Sequence, residues 1–235
     1  MKEAIILAGG FGTRLRQVVP DLPKPMAPVA GRPFLEVLLD YLLKSGFKRV
    51  ILSLGYRADI IQHHFGNCFK TMELEYVVED TPLGTGGAVR LAVERCTSDH
   101  VFIFNGDTFL EADISVVEAL WQAQQKPIIV AREVPDTSRY GRLLTDGDQI
   151  VGFSEKGVSG AGLINAGCYL LPVGVLNNYA AGAAFSLEAD FFAPYVQQQT
   201  ILYHVTNGRF IDIGVPDDYA RAQKELADVV INHFA

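Results

Sequence analysis

Three glycines in four positions, Gly9-Gly10-Phe11-Gly12, follow the apolar run Ala4-Ile5-Ile6-Leu7-Ala8, and two cations, Arg14 and Lys24, stand just beyond. A glycine loop that leaves a buried strand presents backbone N–H groups to a ligand at close range. With cations beside it, such a loop suits a polyphosphate. Lys24 lies between Pro23 and Pro25. Proline fixes φ and disfavours helical backbone in the residue before it, so Lys24 is expected to be extended and pre-oriented on a stiff loop. Two carboxylates complete the set. Asp107 closes Asn105-Gly106-Asp107 at the end of the apolar run Val101-Phe102-Ile103-Phe104, a place where a carboxylate can hold Mg²⁺ beside a phosphate. Asp212 stands between Ile211 and Ile213, in a segment that otherwise asks for burial. Buried carboxylates are rare unless paired or metal-bound, and two such acids can share one cation.

The commonest phosphate-binding patterns fail. In the dinucleotide fingerprint a third glycine follows G-x-G by three places, but Leu15 stands there, and the second strand ends Leu52-Ser53-Leu54-Gly55 with no acid. The Gly-Lys-Ser/Thr of a P-loop is absent.

The surrounding elements are those of an α/β protein. Residues 4–8, 49–54, 74–78, 100–104 and 127–130 read as strands, and residues 34–45, 60–65, 88–96 and 116–125 as helices, with Gly46 placed to end the first helix. This alternation predicts a Rossmann-like, mostly parallel sheet with helices on both faces, whose ligands sit beyond the carboxyl ends of the strands. The glycine loop, Asp107 and the segment after Val78 all follow strands in this way. The second half differs. Residues 141–145, 149–154, 163–171, 201–205 and 210–213 read as strands, Asp146-Gly147 as a hairpin turn, Ser186 as a helix cap and residues 215–230 as a closing helix. The expectation is one domain over residues 1–235: an α/β half at 1–135 and a β-rich half at 136–235.

Composition narrows the function. Apolar residues make up 49% of the 235, enough for a substantial core, and the net charge is −7. An acidic chain does not suit a protein whose main task is holding nucleic acid. No apolar run approaches the roughly 18–20 residues of a membrane span, and the strand signal begins at once, so no signal peptide is expected. The three cysteines lack any C-x-x-C spacing, which points to buried thiols in a reducing, cytoplasmic setting. His63-His64 falls on a helical stretch and reads as surface; Trp121 and Tyr41 read as core. Asp217 and Asp218 open the last helix, where they suit its dipole.

The motifs together resemble the sugar-1-phosphate nucleotidylyltransferases: Gly9-Gly10-x-Gly12-Thr13-Arg14-Leu15, Pro23-Lys24-Pro25, Leu83-Gly84-Thr85-Gly86-Gly87-Ala88, Asn105-Gly106-Asp107, Glu155-Lys156, Asn165-Ala166-Gly167 and Asp212-Ile213-Gly214. The resemblance implies the nucleotide-diphospho-sugar transferase fold and the reaction of an NTP with a sugar 1-phosphate to give an NDP-sugar and pyrophosphate. It implies that amides of Gly9, Gly10 and Gly12 meet the triphosphate, within a nucleotide site that also takes in Leu7, Ala8, Thr13, Gly84 and Thr85. Arg14 would hold the β/γ-phosphates and Lys24 would bridge the α-phosphate and the attacking sugar phosphate. Asp107 and Asp212 would hold Mg²⁺, Lys156 the sugar phosphate and Glu155 a sugar hydroxyl, while Gly141 and Asn165 would line the sugar site. Because both reactants are anions and no covalent group is needed, catalysis reduces to neutralising charge and aligning attack on the α-phosphorus.

Base and sugar are read from fewer residues. Glu79 opens the segment that faces the base in this family. A carboxylate accepts both guanine donors, N1–H and the 2-amino group, but repels the carbonyls of uracil and thymine; this favours GTP, unless Glu79 faces solvent. The stretches Asp21 to Pro28, Pro33-Phe34-Leu35-Glu36 and Phe210 to Tyr219 resemble the branch that makes GDP-heptose for bacterial surface polysaccharide: lipopolysaccharide, capsule or S-layer glycan. Mannose-1-phosphate guanylyltransferases and N-acetylmuramate-1-phosphate uridylyltransferases are neighbouring alternatives. Gly157 departs from the proline that many relatives carry after Glu-Lys. The chain stops near residue 235, so an appended acetyltransferase is not expected. The expected partners are small molecules, with no nucleic acid and no membrane, and a homodimer is compatible with the sequence. A non-catalytic regulatory subunit is the competing class; the presence of Arg14, Lys24, Asp107 and Asp212 argues for the enzyme.

Overall fold

The computed structural model describes residues 1–15, 18–154 and 157–231. The chain forms two compact units, neither continuous in sequence. The first comprises Met1–Pro82, Asn105–Phe109 and Ile211–Ala235; the second comprises Leu83–Phe104 and Leu110–Phe210.

In the first unit, strand Glu3–Leu7 pairs in parallel with Arg49–Leu54, with Ile5 opposite Ile51. Arg49–Leu54 pairs in parallel with Met72–Val78. Every residue of Arg49–Leu54 is buried, the pattern of a strand covered on both faces. The helix Phe34–Lys44 follows its expected span, and Gly46, at φ +88°, donates to the Leu43 carbonyl just past its end. Its buried face, Phe34, Val37 and Leu38, packs with Leu15, Val29, Phe109, Ile211, Ile213 and Leu226. Three separate stretches of chain therefore meet in one core. The short strands Thr108–Leu110 and Phe210–Asp212 pair with each other.

In the second unit, His100–Asn105 pairs antiparallel with the long strand Gly162–Pro172, which pairs antiparallel with Ile128–Val134. Ile128–Val134 runs parallel to Ile201–Thr206, and Gln149–Phe153 and Leu143–Asp146 continue antiparallel beyond it. The helix Ile114–Gln124 is capped by Asp113, whose carboxylate accepts from the N–H groups of Ser115 and Val116. Trp121 is buried in it, stacked on His100.

Several boundaries depart from the periodicity. The helix expected at 88–96 begins at Gly84, because the N–H groups of Gly86 and Gly87 donate to the Phe185 carbonyl and draw the glycines into the first turn. The closing helix is two, Pro216–Glu225 and Ala227–Ile231, broken at Leu226, which turns inward and is fully buried. Ser186 caps as expected, but the helix it opens, Leu187–Phe192, is π-wound and buries both Phe191 and Phe192. Among the described residues no helix is long and apolar enough to cross a membrane.

Phe109 is fully buried between Phe34, Ile211 and Ile213. Phe109→Ala is expected to cost about 3–5 kcal/mol, read as a lower denaturant midpoint with unchanged secondary-structure content below the transition.

Candidate active site

The strand Glu3–Leu7 is tied at its end to its neighbours by backbone hydrogen bonds. Ala8 N–H donates to the Ser53 carbonyl at 2.8 Å, Tyr56 N–H to the Gly9 carbonyl at 3.3 Å, and Gly106 N–H to the Leu7 carbonyl at 2.9 Å. At Gly106 a Cβ would lie 2.6 Å from the Leu7 carbonyl oxygen, a clash that only glycine avoids. The Asn-Gly-Asp segment is thereby pressed onto the start of the glycine loop, and Asp107 with it.

The loop itself turns at Gly12, φ +60°, and the N–H of Leu15 closes the turn on the Gly12 carbonyl at 3.0 Å. Leu15 is buried, whereas Thr13 and Arg14 are exposed. Arg14 thus stands on a turn anchored by the next residue. A Cβ at Gly12 would lie 2.9 Å from Cβ of Lys24, so this glycine also lets the Pro-Lys-Pro loop lie against the glycine loop.

Lys24 does not take the extended conformation expected of a residue before proline. It opens a single 3₁₀ turn, Lys24–Met26; the extended residue is Pro23, at φ −64° and ψ 145°. The turn forms because Met26 N–H finds the Pro23 carbonyl at 2.8 Å and Ala27 N–H finds the Lys24 carbonyl at 3.0 Å. Pro25 sits in the first turn, where its missing N–H would have had no partner. Pro23 and Pro25 are both buried, and they fix the base of the Lys24 side chain.

That side chain reaches the two acids. Lys24 Nζ donates to Asp107 Oδ2 at 2.6 Å and lies 4.0 Å from Asp212 Oδ1. Asp107 also accepts from the Thr108 hydroxyl at 3.2 Å, and Asp212 Oδ1 accepts from Gly214 N–H at 2.6 Å. The Ile213 N–H donates to the Asp107 carbonyl at 2.9 Å, which ties the two acidic segments together. Burial pushes the Asp212 carboxyl above its ordinary range, the negative charge of Asp107 adds to this, and Lys24 opposes it. Two hard oxygen donors converge on one cationic centre and one of them is electrostatically uncomfortable. That donor set fits a divalent cation.

Glu79 follows the strand Met72–Val78, with its N–H on the Leu54 carbonyl at 2.8 Å. Its Oε1 lies 3.4 Å from the position a Cβ would take at Gly9. The carboxylate therefore stands over the glycine loop.

The second unit holds the remaining described candidates. Thr85 Oγ1 accepts from Leu187 N–H at 2.9 Å, and Gly84 begins the helix whose first N–H groups meet the Phe185 carbonyl. Both thus have a part in ordering the segment at 185–187. Asn165 donates to Tyr169 Oη at 2.8 Å and to Glu188 Oε1 at 2.7 Å, and accepts from Gly167 N–H at 3.0 Å. The pairing of its strand slips register between Asn165 and Cys168, a bulge that re-aims the side chain. Glu188 is a partner the Asn-Ala-Gly motif alone does not name; the exposed carboxylate just after the Ser186 cap was its signal. Gly141 leads into Arg142, whose backbone exchanges hydrogen bonds with Ser154. Glu155 and Lys156 lie outside the described residues.

Residues 3–229 match the nucleotidyl transferase family model, and the chain belongs to that family. It is 40% identical over 225 residues to the D-glycero-alpha-D-manno-heptose 1-phosphate guanylyltransferase of Aneurinibacillus thermoaerophilus, covering 95% of this chain and 98% of that one. It is also similar to the crystal structure of HddC from Yersinia pseudotuberculosis complexed with GMP-PN, with TM-score 0.83, 37% identity and coverage of 96% and 100% of the two chains. A putative glucose-1-phosphate thymidylyltransferase from Bacillus anthracis shares the fold at 21% identity, with TM-score 0.86 over 97% of this chain and 96% of that one. The mixed, mostly parallel sheet with its helices is thus that of the nucleotide-diphospho-sugar transferases.

Asp212→Asn removes a partly buried like charge but keeps the acceptor for Gly214. Its native carboxyl titrates above the unfolded one, so the wild-type fold binds the proton more tightly and loses stability as pH rises through and above the ordinary carboxylate range. The substitution is expected to stabilise the metal-free protein by about 1 kcal/mol at pH 7, and the gain should vanish below pH 4. Thermal melts with chelator at both pH values check this.

Proposed function

We propose that this chain transfers GMP from GTP to D-glycero-α-D-manno-heptose 1-phosphate, releasing pyrophosphate. The observation that carries the reading is the convergence of Lys24, Asp107 and Asp212 beside a glycine loop over which the Glu79 carboxylate stands. The kinship with heptose 1-phosphate guanylyltransferases supports the choice of sugar and base.

In this reading a phosphate oxygen of the sugar 1-phosphate attacks the α-phosphorus of GTP. The bond to the bridging oxygen of the β-phosphate breaks, and pyrophosphate carries away the electron pair. The amides of Gly9, Gly10 and Gly12, with Leu7, Ala8 and Thr13, receive the triphosphate. Arg14, exposed on its anchored turn, neutralises the β- and γ-phosphates as charge builds on the leaving group. Lys24 leaves its carboxylate partners to bridge the α-phosphate and the incoming phosphate; a compact ammonium suits a group that moves during reaction. Lys156 holds the sugar phosphate and Glu155 a sugar hydroxyl, with Gly141 and Asn165 lining the sugar site. Asp107 and Asp212 would hold Mg²⁺, which supplies charge neutralisation at the phosphates when bound. Glu79 accepts from guanine N1–H and the 2-amino group, and Gly84 and Thr85 order the segment at 185–187.

The setting is the cytoplasm, in keeping with three free cysteines, and the product serves surface polysaccharide: lipopolysaccharide, capsule or S-layer glycan.

Purified protein with GTP, Mg²⁺ and the heptose 1-phosphate should release pyrophosphate; silence across all four NTPs and a panel of hexose and heptose 1-phosphates would reject the reading. Lys24→Ala is expected to lower kcat by about a thousandfold, with the circular dichroism spectrum retained. Glu79→Gln should lower kcat/KM for GTP by about tenfold or more, while use of UTP, if measurable, stays level or rises.

A further inference from the structure

Arg57 breaks several local rules at once. Its backbone stands at φ +55° and ψ +40°, the left-handed region that a residue with a Cβ rarely enters. It occupies the N-cap of the helix Ala58–Phe65 and makes no side-chain cap bond there, where serine, threonine, asparagine or aspartate would supply an acceptor. It also brings a cation to the positive end of the helix. Nothing in the helix itself gains from this residue. Backbone in a sparsely populated region persists where its surroundings fix it, and such positions cluster at functional sites.

The gain lies in what the turn Gly55-Tyr56-Arg57 touches. The exposed Arg57 side chain donates from Nη1 to the Asp21 carbonyl at 3.2 Å. Asp21 stands three residues before Lys24, and between them Pro23 is buried with its φ locked by the ring. A hold on Asp21 is therefore passed to the stem of Lys24. Tyr56 holds the glycine loop. Its N–H donates to the Gly9 carbonyl at 3.3 Å, and its ring centroid lies 5.6 Å from that of Phe11, tilted by 46°. Phe11 is 50% exposed, so core packing does not set the loop at that point. At Gly55 a Cβ would lie 2.9 Å from the Gly9 carbonyl oxygen, which shows how closely the turn is pressed on the loop. One three-residue turn thus braces both arms that meet the triphosphate. Loops at strand ends move more than the strands that carry them, and a misplacement of about 1 Å at a reacting group can cost about a hundredfold in rate.

We infer that Tyr56 and Arg57 are positioning residues for the triphosphate grip: Tyr56 sets the course of the glycine loop, and Arg57 sets that of the segment carrying Lys24. The inference rests on the proposed roles of that loop and of Lys24.

The test is steady-state kinetics with GTP and the heptose 1-phosphate varied in turn, beside thermal melts of the same variants. Arg57→Gly accepts the left-handed backbone without strain and deletes the tie to Asp21. It is expected to lower kcat about tenfold, as for one lost hydrogen bond to a charged group, with the melting temperature held or raised. Arg57→Lys keeps a long cation and should recover most of that loss. Phe11→Ala, at an exposed position, and Tyr56→Leu each remove the ring pair. Both should raise KM for GTP about fivefold while KM for the sugar phosphate stays within twofold. Lys24→Ala, run alongside, separates the claims. If it lowers kcat and Arg57→Gly does not, the role of Lys24 stands and positioning by Arg57 is overturned. If Lys24→Ala leaves kcat alone, the role of Lys24 falls, and positioning by Arg57 with it. An unchanged KM for GTP in Phe11→Ala and Tyr56→Leu overturns positioning by Tyr56. Equal shifts in both KM values, or a loss of kcat in Arg57→Gly matched by a lower melting temperature, also overturn the inference, because they mark general destabilisation.

Discussion

Two carboxylates held near one ammonium are the constraint around which the first unit is arranged. Asp107 and Asp212 repel each other, and the partly buried position of Asp212 adds to the cost. Apolar neighbours nonetheless keep them in place: Phe109 lies two residues beyond Asp107, and Ile211 and Ile213 flank Asp212, all fully buried in one cluster. The backbone bond from Ile213 to the Asp107 carbonyl fixes their separation. The side chains cannot relax apart without pulling hydrophobic residues into water. Natural proteins often hold such strain where they bind charged ligands, and the stability lost there is recovered in the surrounding core.

The same economy governs the cations. The chain carries a net charge of −7, yet the glycine loop, Arg14 and Lys24 gather positive character at one strand end. Gly12 makes this possible by letting the backbone of one loop lie against the stem of Lys24. A charge balance computed over the whole surface would hide a local field that a triphosphate would meet directly.

Much of this was legible in the sequence because it is written in residue types that have few other uses. Glycines after a buried strand, a lysine between prolines and an aspartate between isoleucines each announce a local conflict between fold and chemistry. The strand Arg49–Leu54 and the helix from Phe34 could be read from apolar runs and periodicity. What could not be read was set by long-range contacts. Lys24 entered a tight turn because two carbonyls were available, overriding the local preference before proline. The helix at Gly84 began early because Phe185, a hundred residues later, supplied an acceptor. Glu188 could be read in the first turn of the helix that Ser186 caps, but its bond to Asn165 could not, because that partner lies on a distant strand. The discontinuous units were also hidden, since periodicity says nothing about which segments return to an earlier core.

The late return of the chain to the first unit has a consequence for biosynthesis. Asp107 is synthesised about a hundred residues before its partner and the isoleucines that brace it, which come from the stretch beginning at Ile211. Until then the nascent chain has Lys24 and one carboxylate, and a core lacking its third strip of side chains. The acidic pair is therefore completed only once that stretch has been made, and products terminated before Asp212 lack it.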